Sequence, residues 1–226
     1  MLLIKPKVIF EWMTQFPLEM IEQAGRTCWK SESKADSTPL TFAAMLLRKG
    51  HEAMIEHASM SYRFICDRGV THEMVRHRLA SYAQESTRYC SYGGGVTFII
   101  PPWVPMTECE YQWGKNVPFR VGADPFVLDE AAQIWLESIL RSEILYKELL
   151  EQDWKPQQAR SVLPNSLKTE IVMTANLREW RHFFELRTAK TAHPQMREVA
   201  LMCLKDAAKR IPVVFDEYLC NLDLEL

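Results

Sequence analysis

The chain has 226 residues, 47% of them apolar and 25% charged, so it is long enough to bury a sizeable core and has an ordinary globular makeup. A formal net charge of −2 excludes a global field that would draw in nucleic acid or an anionic membrane, so any anion binding must be local. Six scattered cysteines without a Cys-x-x-Cys pair argue against a zinc ribbon or a disulfide framework and for free thiols in a reducing compartment.

The N-terminal run from Met1 to Phe10 has lysines inside its apolar stretch and no small-residue cleavage site, which makes a poor signal peptide. No apolar run approaches the roughly 18 residues that cross a bilayer. A cytoplasmic protein without a membrane partner is expected. Residues 38–49 predict a helix, with Ser37 or Thr38 as cap, Pro39 in the first turn and Gly50 as terminator. Residues 59–67 alternate, with Met60, Tyr62, Phe64 and Cys66 on one face and Ser59, Ser61, Arg63 and Asp67 on the other, the pattern of a half-buried strand. Asp67-Arg68-Gly69 then predicts a turn and 70–79 a helix. Ser91 to Gly95 reads as a loop, and Val96 to Ile100 as a short strand stopped by Pro101-Pro102.

Asp124-Pro125 opens the longest helical pattern, to about Gln152, with an apolar stripe of Ile134, Ile139, Leu145, Leu149 and Leu150. Residues 169–175 predict a strand and 177–188 a helix. Another helix starts at Pro194, with Met196, Val199, Ala200, Cys203 and Ala207 at helical spacing. With no repeat or linker, the expectation is a single domain over 1–226 of α+β class: a mixed, helix-rich fold with a central antiparallel sheet flanked by helices.

Several motifs fail on spacing. His51-Glu52 and His72-Glu73 suggest a zinc protease, but that motif needs a second histidine four residues on, and Ile55 and Arg76 stand there. No metal site is expected. Gly93-Gly94-Gly95 lacks the spacing of a dinucleotide-binding loop, and a phosphate-binding P-loop is absent.

The segment Arg76-His77-Arg78 through Ser86 and Arg88 carries the chemistry. Three guanidinium groups in so short a stretch repel one another, so an anionic partner is expected to offset them. Arg76 and Arg78 lie about 200° apart on a helix; either the helix ends there, or they serve different ligands or sites. Arg88, Ser86 and the following amides suit an anion nest. The bland alternative is a solvated basic helix end with Glu73 pairing to His77 at i,i+4. Ser86 has no adjacent base in sequence, so a ligand-binding hydroxyl is a more economical role than a nucleophile. A second constellation sets Asn176, Arg178, His182 and Arg187 among Trp180, Phe183 and Phe184. Arg178 and His182 share a helix face, Arg187 lies about 180° round from Arg178, and the aromatics are expected in the core. Arg160, before Val162-Leu163-Pro164, needs an anionic partner if buried.

At these residues the chain resembles the flavin-dependent thymidylate synthases, the ThyX family. The family signature, Arg-His-Arg followed after seven residues by Ser, is complete here as Arg76-His77-Arg78 and Ser86, and Leu79-Ala80-Ser81-Tyr82 and Ser86-Thr87-Arg88-Tyr89 fit around it. The resemblance runs from roughly Arg26 to Glu198 and takes in Gly50-His51-Glu52 with Glu56-His57, Ala159 to Pro164, and Asn176 to Arg187. It implies conversion of dUMP to dTMP with methylenetetrahydrofolate as carbon donor and NADPH as reductant through FAD. It also implies a homotetramer with active sites shared between subunits, and no enzyme nucleophile.

By position, the resemblance implies that Arg187 is catalytic and lies against the uracil. Glu73, Arg76, Gln84, Ser86, Arg88, Arg160 and Arg187 match the dUMP-binding set. His51, Ala53, Glu56, Arg76, His77, Arg78, Gln84, Asn176, Arg178 and His182 match the FAD-binding set, and His51 and Tyr89 the folate side. Glu73 stands where a glutamine is frequent, Gln84 where a glutamate is frequent, and His182 where an asparagine is frequent. Cys28 stands in place of a serine. The competing readings are a nucleic-acid-binding module using 76–88, which a wide basic face should accompany, and a non-catalytic flavin- or nucleotide-binding protein.

Overall fold

A computed structural model describes residues 1–31, 39–113, 118–121 and 128–223. The fold is mixed α/β and helix-rich, with antiparallel pairing flanked by helices, as expected. The described residues form two four-stranded sheets rather than one. The described chain forms two compact units, one of Met1–Lys7, Ile65–Met74 and Gln84–Ile171, the other of Val8–Phe64, Val75–Ala83 and Val172–Leu226.

In the first unit, β1 (Leu2–Ile4) runs parallel to β5 (Thr97–Ile99) and antiparallel to β6 (Cys109–Trp113), and β6 pairs antiparallel with β7 (Pro118–Val121). Leu3, Val96, Phe98, Ile100 and Leu167 form its core with one face of the long helix α4 (Glu130–Glu151). Asp129 caps α4, its side chain accepting from Ala132 N; the expected start at Asp124-Pro125 lies outside the described residues. The buried face of α4 is Ala132, Ile139, Leu140, Glu143 and Tyr146, and Ile134 is 61% exposed. The expected apolar stripe is therefore misplaced at its start, because a buried carboxylate and a tyrosine hold positions that hydropathy assigns to the surface.

The second sheet has the order β2 (Lys7–Met13), β3 (Ser59–Asp67), β8 (Lys168–Asn176), β4 (Ala80–Gln84). β3 and β8 run antiparallel: Leu177 N bonds to Ala58 O at one end and Arg68 N to Leu167 O at the other. β3 has its expected bounds and buries Met60, Tyr62, Phe64 and Cys66, together with Ser61, whose hydroxyl accepts from Thr174 Oγ1 at 2.9 Å.

In the second unit, α1 (Pro17–Thr27) and α2 (Pro39–Arg48) precede a 3-10 turn at Glu52–His57. Gly50 ends α2 with φ +68°, a conformation L residues rarely adopt. The proposed caps Ser37 and Thr38 lie outside the described residues. α6 (Leu177–Arg187), α7 (Pro194–Arg210) and α8 (Asp216–Asp223) complete the unit. Trp180, Phe183 and Phe184 of α6 are fully buried and pack with Phe64 and Phe215, so these aromatics are core, as their spacing predicts.

Candidate active site

The route into the Arg76–Arg78 segment differs from the sequence expectation. Asp67-Arg68-Gly69 is the start of helix α3 (Arg68–Met74), with Asp67 Oδ1 accepting from Val70 N at 2.9 Å as a cap. The helix stops at Met74, so 70–79 is not one helix, and the helical i,i+4 relation between Glu73 and His77 that the bland alternative needed is absent. Ending the helix resolves the spacing puzzle. Arg76 and Arg78 need not point to opposite sides, and both line one cavity of about 760 Å³ in the second unit.

Seven of the ten positions matched to FAD lie on that cavity: Glu56, Arg76, His77, Arg78, Asn176, Arg178 and His182. Arg76 and Arg78 are exposed, and neither has a hydrogen-bond or ion-pair partner among the described residues. Arg178 is paired: its Nη1 donates to Glu56 Oε1 at 2.6 Å, and its Nε lies 3.6 Å from Glu52 Oε2. Asn176 caps α6, its Oδ1 accepting from Glu179 N at 2.9 Å. The other three matched positions are elsewhere. His51 and Ala53 are exposed, at and just inside the head of the 3-10 turn, with the His51 ring 6.3 Å from that of Trp29. Gln84, in the first unit, donates to the buried hydroxyls of Thr71 (3.0 Å) and Thr169 (3.3 Å).

His77 also lines the cavity and is 4% exposed. Arg187 Nε donates to His77 Nε2 at 3.0 Å. The His182 ring meets His77 edge-on at 5.5 Å, and Phe183 does so at 5.0 Å. His182 and Arg187 therefore both reach His77, although they leave α6 in different directions. Tyr82 Oη donates to the His77 carbonyl at 2.9 Å. Burial, then Arg187 and His182, push the His77 ring down to about 4, so it is neutral near pH 7. Burial raises the Glu179 carboxyl, with His182 acting the other way.

His77, Glu179 and His182 offer nitrogen and oxygen atoms within 4.8 Å of one another, the donor set of a divalent metal. The hydrogen bond from Arg187 argues against that use. A guanidinium only donates, so His77 Nε2 is the acceptor and the proton sits on Nδ1, which then has no lone pair for a metal.

The residues matched to dUMP divide between the units: Arg76 and Arg187 in the second, and Glu73, Gln84, Ser86, Arg88 and Arg160 in the first. In the first unit, Ser86 Oγ accepts from Arg88 N at 3.3 Å, and Tyr89 N and Cys90 N bond to the Ser86 carbonyl, forming a tight turn. Arg160, exposed rather than buried, opens a 3-10 turn and donates from Nη1 to the buried Thr87 hydroxyl at 2.8 Å. One hydrogen bond thus ties Arg160 to the Ser86–Arg88 turn. The Arg88 guanidinium lies 5.4 Å above the ring of Tyr89, which is 79% exposed. Behind the turn, Glu85 accepts from Tyr92 Oη and from Lys168 Nζ. Burial lowers Lys168, but hydrogen bonds to Glu170 and Glu85 outweigh it and leave the ammonium raised.

Sequence reasoning missed Glu179, Arg181 and Tyr218. Arg181 is buried, donates to Glu52 and to the Val214 carbonyl, pairs with Glu217, and lies 5.2 Å from the Tyr218 ring centre. Its partners are distant in sequence, so no local pattern announces it. Glu179 was legible in part, since Asn176 followed three residues later by Glu is a helix-start signature.

Over 97% of both chains the fold matches a solved UMP/dUMP methylase, PolB from Streptomyces cacaoi bound with 5-Br dUMP, with a TM-score of 0.74 and 24% identity. That likeness defines the class of fold. Residues 10–213 match the family described as thymidylate synthase complementing protein. A flavin-dependent thymidylate synthase of Mycobacterium sp. (strain JLS) is 32% identical over 225 residues, 95% of this chain and 85% of the relative. One from Corynebacterium aurimucosum is 34% identical over 203 residues, 88% of this chain and 79% of the relative. The chain belongs to the thymidylate synthase complementing protein (ThyX) family.

Proposed function

We propose that the chain is an enzyme that converts dUMP to dTMP, with 5,10-methylenetetrahydrofolate as carbon donor and NADPH as reductant, and with FAD resident in the cavity of the second unit. The observation that carries this reading is the pair of guanidinium groups, Arg76 and Arg78, unpartnered among the described residues, on a cavity of about 760 Å³ shared with Asn176, Arg178 and His182. Two such cations on one cavity match the charge of a dinucleotide pyrophosphate, and the volume is within the usual range of cofactor pockets. When bound there, FAD supplies the hydride that reduces the transferred carbon.

The remaining roles belong to side chains of the chain itself. Arg187 lies against the uracil and stabilises the ring ionised at N3, because a fixed cation lowers the pKa of an adjacent acid. Ser86, Arg88 and Arg160 hold the dUMP phosphate and ribose, which the Arg160–Thr87 bond and the Ser86 turn support. Glu73 and Gln84 contact the nucleotide, and Gln84 also contacts the flavin. Tyr89 and His51 lie on the folate side. Ser86 acts without nucleophilic attack, and the active form is a cytoplasmic homotetramer with shared active sites.

Purified protein should be yellow, should bleach anaerobically with NADPH and dUMP, and should form dTMP when methylenetetrahydrofolate is added. A colourless protein that cannot be reconstituted with FAD sinks the proposal. Bleaching without dTMP would leave a non-catalytic flavoprotein, and a salt-sensitive DNA gel shift by flavin-free protein would favour the nucleic-acid reading.

A further inference from the structure

We infer that Glu179 is a positioning residue that holds His77 in one tautomer and, through it, aims Arg187; the inference rests on the role of Arg187 proposed above. Three side chains from two segments form a chain: Glu179 Oε1 lies 3.3 Å from His77 Nδ1, and His77 Nε2 accepts from Arg187 Nε at 3.0 Å. The link at each end is polar and the ring between them is neutral, so the proton position decides whether the chain holds together.

With the proton on Nδ1, the ring presents a lone pair to the Arg187 guanidinium and an N–H to the carboxylate. With the proton on Nε2, an N–H would face an N–H of Arg187, and a bare nitrogen would face Glu179. A guanidinium cannot reverse its role as donor, so an acceptor beside Nδ1, here the Glu179 carboxylate, reinforces the tautomer that retains Arg187. The catalytic triad of serine proteases uses a carboxylate in the same way, to fix a histidine tautomer.

The surroundings restrict the alternatives. The side chains of His77 and Glu179 are 2% and 6% exposed, so water competes poorly for either group. Phe183 and His182 flank the ring, and Tyr82 pins its backbone carbonyl. Glu179 starts from a fixed backbone, because its N–H is bonded to the Asn176 cap. His77 Nδ1 nevertheless lacks an aligned hydrogen bond, an exception to the rule that buried polar atoms are paired. A contact that is close but not yet aligned is what a site held ready for its ligand shows, since such bonds tighten when the complex forms.

A helix-start glutamate also has a plainer use, complementing the dipole of α6. That use predicts lost stability with no change in the His77 tautomer. The two roles separate in flavin-loaded enzyme carrying 15N-labelled histidine, with long-range 1H–15N correlation reading the tautomer. Wild type should show His77 protonated on Nδ1. Glu179→Leu removes the acceptor beside Nδ1 and should shift part of the proton population toward Nε2. It should lower kcat at least 10-fold with flavin content retained, and Glu179→Asp should restore part of the rate. A wild-type His77 protonated on Nε2, or Glu179→Leu with an unchanged tautomer or unchanged kcat, overturns the inference. Arg187→Ala keeping wild-type turnover would instead sink the role given to Arg187, while the wild-type tautomer measurement would still read the Glu179–His77 contact on its own.

Discussion

Glu143 of the first unit and Glu179 of the second are both buried but treated differently, whereas Glu22, also buried in the second unit, is paired with Arg26. In the first unit, Glu143 is fully buried and accepts from Val96 N at 3.0 Å, with Lys147 Nζ at 3.2 Å and the Met1 amino group at 3.3 Å. In the second unit, Glu179 faces a neutral imidazole edge at 3.3 Å, without an aligned bond to it, and burial raises its carboxyl. Donors crowd around the first carboxylate, which therefore serves the fold. The second is less well served, beside a cavity with two arginines unpaired among the described residues, and it is available to a site. A buried polar atom without an aligned partner calls for an explanation, and a place beside a ligand cavity supplies one for His77 Nδ1.

The strongest way to break this contrast is to remove Glu143. Glu143→Ala leaves buried donors without an acceptor and should cost about 3 kcal/mol of stability, read as a lower urea midpoint with flavin content per folded protein unchanged. An unshifted midpoint would show that Glu143 is not scaffold. Arg187→Ala should reduce dTMP formation on the order of 100-fold or more while FAD remains bound. Turnover near the wild-type rate in a dTMP assay would remove its activating role.

Acidification tests the second unit. The unfolded chain takes up the His77 proton from about pH 6.5 downward, whereas the folded chain waits until about 4. In that window the unfolded state binds more protons, so stability falls as pH falls. Glu179, raised by burial, takes its proton earlier when folded and offsets part of the loss. The His77 contribution alone should be on the order of 2 kcal/mol after allowance for solvent screening. Urea midpoints at several pH values measure it, and His77→Phe should flatten the dependence; an identical slope in the variant would assign the loss to another group. The smallest effect is expected at Ser86. Ser86→Ala removes one neutral hydroxyl and should weaken dUMP binding by about 1 kcal/mol while turnover persists. Complete loss of turnover with dUMP binding intact, by calorimetry, would revive the nucleophile.

The bounds of β3 and the buried faces of β3 and α6 were legible because alternation and helical spacing depend only on neighbours within a few residues. The signature Arg76-His77-Arg78 to Ser86, the uneven charge around it and the family were also present in the sequence alone. Tertiary structure decided where α3 stops, and with it that Arg76 and Arg78 share one cavity. It also decided that the buried face of α4 contains Glu143, since no hydropathy pattern shows which donors surround a carboxylate. The Glu179–His77–Arg187 chain joins groups about 100 residues apart in sequence, and burial depresses the pKa of the ring between them. Burial and long-range proximity are properties of the folded chain, so the chemistry that depends on them could be read only there.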